Sequence, residues 1–289
     1  MRACSPQRRI RMRRNKLLLL CLVPLLLISC GSKESDLPDL SSMGNVQAVV
    51  REEGSGTAYE FRSLVGGAAS GKTVLSTSQV IEAVAEDRNA IGYVAYSALG
   101  EEEKARVKVL KVEGMPCDPA AIRTGRYPLE RKYLLCNIGS LSDLETDFIT
   151  YCRTAGQAVV SELCLPVRET ARFLSSGDEG VIKIAGSSSM EALLRALIED
   201  YERINPHARI ELTVTDSTEG LNAAMRGQAD LAASSRSLQS YEAELLEQHE
   251  IASDGIAVIV NKDNPLEDIS LKRLRSLFDG SVKAWADLK

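Results

Sequence analysis

Short apolar runs alternate along the chain with longer segments in which apolar residues recur every three or four positions. The runs have the length of buried strands and lie at 46–50, 90–94, 107–112, 133–136, 181–185, 209–214, 230–233 and 256–260. The longer segments have the helical period and lie at 144–163, 190–204, 221–226, 241–248 and 271–277. Strands separated by helices predict an α/β fold with mixed, mostly parallel sheets flanked by helices.

The amino terminus has the layout of an export signal. A basic stretch is followed by a twelve-residue apolar run at 17–28, which is shorter than the about 20 residues that a membrane-spanning helix needs. The run ends in Leu27-Ile28-Ser29-Cys30, which resembles a bacterial lipobox. We therefore predict a lipoprotein signal peptide at 1–29, a lipid on the thiol of Cys30 and a polar tether at 30–44. A plain signal peptide with an incidental cysteine stays the alternative.

The charge is unevenly distributed. The whole chain has 35 basic and 40 acidic residues, for a net charge of −5. Residues 1–29 contain seven arginines and lysines and no acid, which leaves 28 basic against 40 acidic residues in the body. So acidic a body excludes a nucleic-acid binder, because phosphate backbones require a basic surface.

The export signal predicts an extracytoplasmic protein, anchored by lipid to the cell membrane in the periplasm or on the outer surface.

The chain contains few of the residues that form most metal sites and enzyme active sites. Four cysteines lie in the body, Cys117, Cys136, Cys152 and Cys164, with no Cys-x-x-Cys pair, and the chain has two histidines. We therefore predict no metal site, no cofactor and no catalytic residue. A disulfide is open outside the cytoplasm, with Cys152 and Cys164 as one candidate pair, but buried free thiols are at least as well supported.

Four turns that follow predicted strands are rich in small hydroxyl residues. They lie at 53–57, 186–189, 216–220 and 233–237, and two have an arginine nearby, Arg51 and Arg236. The carboxyl ends of parallel strands meet at one edge of a sheet, where the following helices begin. Backbone N–H groups at those helix starts, together with hydroxyls and guanidinium groups, form a site for a tetrahedral oxyanion.

Several segments resemble one protein family. Residues 51–57 (Arg-Glu-Glu-Gly-Ser-Gly-Thr), 184–189, 229–236 and 251–261 are similar to segments of the solute-binding proteins of bacterial phosphate ABC transporters. The resemblance covers about 45–289. It implies a two-lobed clamp of the periplasmic-binding-protein type that closes on inorganic phosphate or a similar oxyanion. It also implies delivery to the permease subunits of an ABC importer, and we expect a monomer.

The resemblance also implies which residues bind phosphate. One lobe would contribute Arg51, Ser55, Gly56 and Thr57, and the other would contribute Ser188, Ser189, Ser217 and Ser235. Some members of the family use an acid to accept the proton of phosphate, but the position that aligns with it here is Ser235. Asp216 or Glu53 is therefore the candidate proton acceptor. Arg236 is a candidate accessory residue.

The order of these segments differs from the usual order in the family. The segment at 184–189 usually comes first, and the segment at 51–57 follows the tryptophan-containing segment, which here lies at the other end of the chain. We interpret this as a circular permutation in which 174–180 joins the former ends. One lobe is then predicted to combine 45–126 with 256–289, and the other to be continuous over 127–255. A truncated or rearranged family member is the alternative.

Three other functions were weighed. A non-transport oxyanion sensor or surface interaction protein could use the same fold, and a phosphatase-like enzyme is disfavoured because no base or metal site accompanies Ser55. Residues 66–73 match the Gly-x4-Gly-Lys-Thr pattern of nucleotide-binding loops. That loop requires a strand before it and a helix after it, whereas here a helix precedes and an extended segment follows. We interpret 66–73 as a surface turn.

Overall fold

The structure is a computed structural model that describes Met1, residues 37–68 and residues 70–289. The predicted signal peptide, Cys30 and the first part of the predicted tether lie outside the described residues. Within the described part of the tether, Leu40 and Met43 are buried and pack against the core. Two apolar side chains thus attach residues 37–44 to the folded body, and the tether at 30–44 stays a prediction.

Eleven strands form over the described residues. They are β1 (Gln47–Arg51), β2 (Lys72–Val74), β3 (Ala90–Ala95), β4 (Val107–Val109), β5 (Lys111–Val112), β6 (Glu130–Ile138), β7 (Gly180–Ser187), β8 (Ala208–Thr215), β9 (Leu231–Ser234), β10 (Leu246–Asn261) and β11 (Asp268–Ile269). All but β5 and β11, which pair with each other, belong to one continuous mixed sheet.

Ten α-helices flank this sheet in the described part of the chain. They are α1 (Gly56–Val65), α2 (Thr77–Glu86), α3 (Glu101–Arg106), α4 (Pro119–Arg123), α5 (Asp143–Cys152), α6 (Gln157–Leu163), α7 (Glu191–Ile204), α8 (Ser217–Met225), α9 (Ser240–Leu245) and α10 (Leu271–Phe278). Serine or aspartate caps many of their amino termini with a side-chain oxygen, as Ser55 does for α1 and Asp216 for α8. The apolar period predicted at 190–204 is confirmed by α7, whose Leu194, Leu197 and Tyr201 are buried.

The sixteen-residue strand β10 connects the two halves of the sheet. Its first part, from Leu246 to Gly255, pairs antiparallel with β6, and its last part, from Ile256 to Asn261, pairs antiparallel with β3 and β4. Beyond β3 lie the parallel strands β1 and β2, and beyond β6 lie β9, β7 and β8. The sheet is therefore mixed, with parallel strands in each half and antiparallel pairing where the halves meet.

Two large apolar clusters divide the molecule into two lobes. The first lobe packs residues from Leu40 to Leu129 and from Ile256 to Leu288 around one core, with Leu165 at its border. The second lobe packs residues from Tyr133 to Ala252 around another core. The two-lobed α/β architecture expected from the sequence is confirmed. The predicted boundaries at 126/127 and 255/256 lie next to these changes of cluster and stay a prediction.

Three predicted elements differ in extent. The segment 144–163 forms two helices, because the backbone turns between α5 and α6 and Gly156 lies close to Tyr151 and Leu197 there. The helix predicted at 241–248 ends at Leu245, since β6 provides a pairing partner for the residues that follow. The strand predicted at 107–112 is divided between β4, which pairs with β10, and β5, which pairs with β11.

Candidate functional site

The amino terminus of α1 forms one wall of the candidate site. Ser55 caps the helix by accepting a bond from Ala58 N at 3.3 Å, and Gly56 and Thr57 are its first two residues. Ser55 and Thr57 are buried. The first N–H groups of a helix have no partner within the helix, and the helix dipole makes this end favourable for an anion.

Three turns of the second lobe form the opposite wall. Ser187 ends β7, Ser217 begins α8 and Ser235 follows β9. Ser235 Oγ lies 2.8 Å from Ser187 Oγ, and Ser235 N donates to Ser217 Oγ at 3.1 Å. The parallel pairing of β7 with β8 and β9 places these turns at one edge of the sheet.

The two walls touch. Thr57 Oγ1 lies 2.8 Å from Ser189 Oγ, and Gly56 faces the hydroxyls of Ser217 and Ser235 so closely that an added Cβ would come within 2.5 Å of Ser235 Oγ and closer still to Ser217 Oγ. We call this meeting of residues the cup, which consists of Ser55, Gly56, Thr57, Ser188, Ser189, Ser217 and Ser235. Every predicted small residue of the site therefore lies in one place, contributed by both lobes.

Arg51 lies beside the cup at the end of β1. Its guanidinium donates to both carboxylate oxygens of Glu52, at 2.8 and 2.7 Å, and to Thr77 Oγ1 at 3.1 Å. Its Nη2 also lies 3.5 Å from Ser188 Oγ in the second lobe. Because the side chain is buried and held on several sides, it presents a fixed positive charge to the cup.

The two candidate proton acceptors occupy different positions. Asp216 caps α8 by accepting from Glu219 N at 2.9 Å, and its other carboxylate oxygen lies against Gly54, next to Ser55. Glu53 is exposed. The carboxylate of Asp216 therefore reaches the first-lobe wall of the cup.

Arg236, the candidate accessory residue, forms an ion pair outside the cup, and its Nη2 lies 3.5 Å from the hydroxyl of Thr218, next to Ser217. Its guanidinium is fully buried and donates to both oxygens of Glu242, at 2.7 and 2.8 Å. It also stacks over the ring of Tyr59, 4.7 Å from the centroid. Contact with Glu242 outweighs the opposing effect of burial and raises the pKa of Arg236 above its usual value, so the group stays charged.

A second buried charge beneath the cup was not predicted. Arg131 on β6 pairs with Asp254 on β10, with side chains 0% and 1% exposed, and its Nη1 donates to Thr57 Oγ1 at 2.8 Å. Tyr133 donates its hydroxyl hydrogen to Asp254 Oδ2 at 2.7 Å. We call Arg131, Tyr133 and Asp254 the hinge cluster. The sequence signal was weak, because Arg131 lies in the charged stretch Glu130-Arg131-Lys132 before the apolar run at 133–136 and is far along the chain from its partner.

The remaining candidate groups are the histidine, cysteine and acidic side chains. Among the described residues, no group of three or more histidine, cysteine or acidic side chains could hold a metal ion. Cys117, Cys136, Cys152 and Cys164 are free thiols, so the candidate pair Cys152–Cys164 is not joined. In the same part of the chain, no helix has both the length and the apolar character that crossing a membrane requires.

The elements on either side of the turn at 66–73 come in the order that we expect for a surface turn. Helix α1 precedes it and strand β2 follows it, which is the reverse of the strand–loop–helix order of a nucleotide-binding loop. Lys72 is exposed.

Comparisons with known proteins agree with the fold. A family model described as a PBP superfamily domain matches residues 173–289. The phosphate-binding protein PstS 2 of Streptococcus pneumoniae serotype 4 is 32% identical over 278 residues, which cover 91% of this chain and 94% of that protein. PstS 2 of Streptococcus agalactiae serotype V is 33% identical over 280 residues, covering 91% and 93%.

A solved structure shows the same architecture. The crystal structure of a phosphate-binding protein of a phosphate ABC transporter from Streptococcus pneumoniae TIGR4 superposes with a TM-score of 0.72 at 32% identity. The match covers 85% of this chain and 100% of that one. These relatives are binding proteins and not enzymes. The chain therefore belongs to the family of phosphate-binding proteins of ABC transporters.

Proposed function

We propose that this protein captures inorganic phosphate between its two lobes and delivers it to the permease of an ABC importer. The observation that carries the proposal is the cup, in which the start of α1 in the first lobe meets Ser189, Ser217 and Ser235 of the second lobe. Hydroxyls, helix N–H groups and Arg51 together offer donors on several sides, as a tetrahedral anion requires.

The contacts across the cup support capture by closure. In this structure the hydroxyls of Thr57 and Ser189 bond to each other, and Gly56 lies against Ser217 and Ser235. An oxyanion entering the cup must separate these groups and then replace their mutual contacts with its own. Binding is thus coupled to the relative position of the lobes, and the ligand shifts an equilibrium between open and closed forms.

The hydrogen-bond donors of the cup are sufficient for micromolar affinity for phosphate. Hydrogen bonds to charged groups contribute about 1.5–3 kcal/mol each. Micromolar affinity corresponds to about −8 kcal/mol, which a few such bonds supply. We propose Arg51, Ser55, Gly56, Thr57, Ser188, Ser189, Ser217 and Ser235 as the phosphate-binding residues, with Asp216 as the acceptor of the phosphate proton.

The sequence supports an extracytoplasmic location. The basic stretch, the apolar run and Cys30 together favour export and a lipid anchor, which would keep the protein beside its permease. The permuted order stays part of the proposal. It is supported by the segment from Glu169 to Glu179, which has no regular secondary structure and carries the chain into β7 as a join between former ends would.

The first test is calorimetric titration of phosphate, and then sulfate, into a phosphate-stripped soluble form that starts after Cys30. We expect one phosphate per chain and at least about tenfold weaker sulfate binding, because sulfate cannot donate a proton to the acceptor and would leave it unpaired. A folded protein that binds no phosphate would refute the proposal. Equal binding of both anions would refute the acceptor.

Two variants sharpen this titration. Arg51→Gln should weaken phosphate binding about tenfold to a hundredfold, whereas Arg88→Gln, which removes the same charge from an exposed position, should change it little.

Asp216→Asn keeps a good helix cap and removes the proton acceptor. We expect weaker phosphate binding with an altered pH profile, and an unchanged profile would exclude Asp216.

A further inference from the structure

The hinge cluster lies where the chain passes from one lobe to the other. Strands β6 and β10 run antiparallel through this region, and Arg131 is directly opposite Asp254 in their register. The second-lobe core includes Tyr133 and Ala252, and the first-lobe core resumes at Ile256. The cluster therefore sits on the two neighbouring strands that join the lobes.

Within the cluster, Asp254 holds Arg131 in one orientation. Asp254 Oδ2 accepts bonds from Arg131 Nη2 at 2.9 Å and from Tyr133 OH at 2.7 Å, and Asp254 Oδ1 accepts from Ser97 N at 3.0 Å. A planar guanidinium whose Nη2 is fixed has its Nη1 fixed as well. That second nitrogen points at the cup, 2.8 Å from Thr57 Oγ1 and 3.4 Å from Ser235 O.

This contact determines how the Thr57 hydroxyl is oriented. A guanidinium only donates hydrogen bonds, so Thr57 Oγ1 must be the acceptor. The hydroxyl has a single hydrogen, which is then directed away from Arg131. On that side lies Ser189 Oγ at 2.8 Å, across the cup.

We propose that Arg131, held by Asp254 and Tyr133, is a positioning residue of the phosphate site that fixes the Thr57 hydroxyl as a donor to the bound anion. The inference rests on the proposed function, because the anion is the ligand that the oriented donor serves. Tyr133 also lies beside the other wall, with its hydroxyl oxygen 3.2 Å from the carbonyl oxygen of Ser189 and its single hydroxyl hydrogen donated to Asp254. The same cluster thus contacts both walls of the cup.

The test is a double-mutant cycle on phosphate affinity. Arg131→Gln is combined with Asp254→Asn, because removing one partner alone would leave a buried unpaired charge that could prevent folding. This amide variant and Thr57→Val are each expected to weaken phosphate binding about tenfold or more. If Arg131 acts through Thr57, the combined variant loses no more than the larger single loss. Losses that multiply would overturn the proposal.

A matched control separates positioning from general destabilisation. Arg236→Gln with Glu242→Gln removes another buried ion pair of equal burial, whose contacts do not include Thr57. Its effect on phosphate binding, whatever its size, should multiply with that of Thr57→Val. Non-multiplicative losses in this control as well would overturn the specific role of Arg131.

A second measurement does not depend on phosphate. The Thr57 methyl signal, observed by NMR in the ligand-free protein, should report one rotamer in the wild type and rotamer averaging in the amide variant. Arg131→Lys serves if the amide variant does not fold, because lysine keeps the charge without the fork that reaches both Asp254 and Thr57. An ordered Thr57 in these variants refutes the positioning role, while a wild type that binds no phosphate refutes only the proposed function.

Discussion

At the scale of single residues, the site depends on the absence of a side chain at Gly56. Its position at the start of α1 lets the backbone approach the hydroxyls of Ser217 and Ser235 in the other lobe. Any side chain here would occupy the space in which the two walls meet. Gly186 has a similar role behind the cup, because its φ of 150° and its closeness to the Ala233 backbone leave no room for a Cβ.

Gly56→Ala should therefore impair closure more than folding. In this structure an added methyl would collide with Ser217 and Ser235, whereas the open form that we propose would leave room for it. Alanine is also a better helix former than glycine, so α1 itself is not weakened. We expect at least about tenfold weaker phosphate binding, measured by calorimetry, which corresponds to about 1.4 kcal/mol.

Gly100→Ala is the control for this prediction. The only group within reach of its added Cβ is the carboxylate of Glu103, at the end of a flexible side chain. Phosphate affinity should stay close to that of the wild type. Unchanged affinity in Gly56→Ala would show that the lobes do not approach each other at Gly56 in the bound form.

At the scale of elements, α1 links stability with recognition. Ser55 caps the helix through its hydroxyl, and the same residue lies in the cup. Helix α2 offers a matched case, since Ser76 caps it by accepting from Gln79 N at 3.2 Å and is not part of the cup. Two serines with the same structural task thus differ in whether they face the site.

Ser55→Ala and Ser76→Ala should cost similar stability, about 1 kcal/mol each, because each removes a helix cap. Only Ser55→Ala should also weaken phosphate binding. Urea unfolding measures the first effect and calorimetry the second. A loss of affinity in both variants would mean that binding follows stability and not the position of the hydroxyl.

The elements also show how far sequence reasoning extends. The apolar face of α7 and the hydroxyl-rich turns could be predicted, because helix period and strand–turn–helix order are local properties. The length of β10 could not, since residues 246–255 become a strand only through pairing with β6. Arg131 was missed for the same reason: its partner Asp254 is 123 positions away, and strand pairing brings the two together.

At the scale of the whole molecule, the cores of both lobes contain titratable groups that burial keeps protonated. Burial raises the pKa of the Cys136 thiol to about 12 and that of Cys164 to about 12, and it also raises the pKa values of Cys117 and Cys152. Burial acts in the same direction on the hydroxyls of Tyr127 and Tyr133. Because these groups hold their protons more tightly in the folded protein, its free energy of unfolding depends on pH in the alkaline range.

The sign of this link follows from proton binding. In the unfolded chain a thiol loses its proton near about pH 8.5, whereas the folded protein keeps it to higher pH. Between those values unfolding releases protons, so the free energy of unfolding falls as pH rises. We expect a lower urea midpoint at about pH 10 than at neutral pH.

Cys136→Ala checks the cause of this pH dependence. The variant removes one buried thiol and should lose less stability than the wild type on going from neutral to alkaline pH. Thiol reagents at neutral pH should react with Cys117, Cys136 and Cys152 of the wild type only as fast as it unfolds. Rapid labelling of any of these three thiols in the folded protein would contradict their burial.

The shared strand also has a consequence for how the protein is made. The ribosome completes the second lobe, including residues 246–254 of β10, before it makes residues 256–261, α10 and Trp285, which complete the first lobe. Strands β1 to β3 are made early, but their last partner, the end of β10, is made late. By then the strands of the second lobe already have all of their partners. A chain that folds as it emerges from its amino terminus therefore cannot complete the first lobe before the second, against the usual amino-terminal-first order. The cup takes residues from both lobes, so it cannot be complete until residues 256–261 have joined β3 in the first lobe.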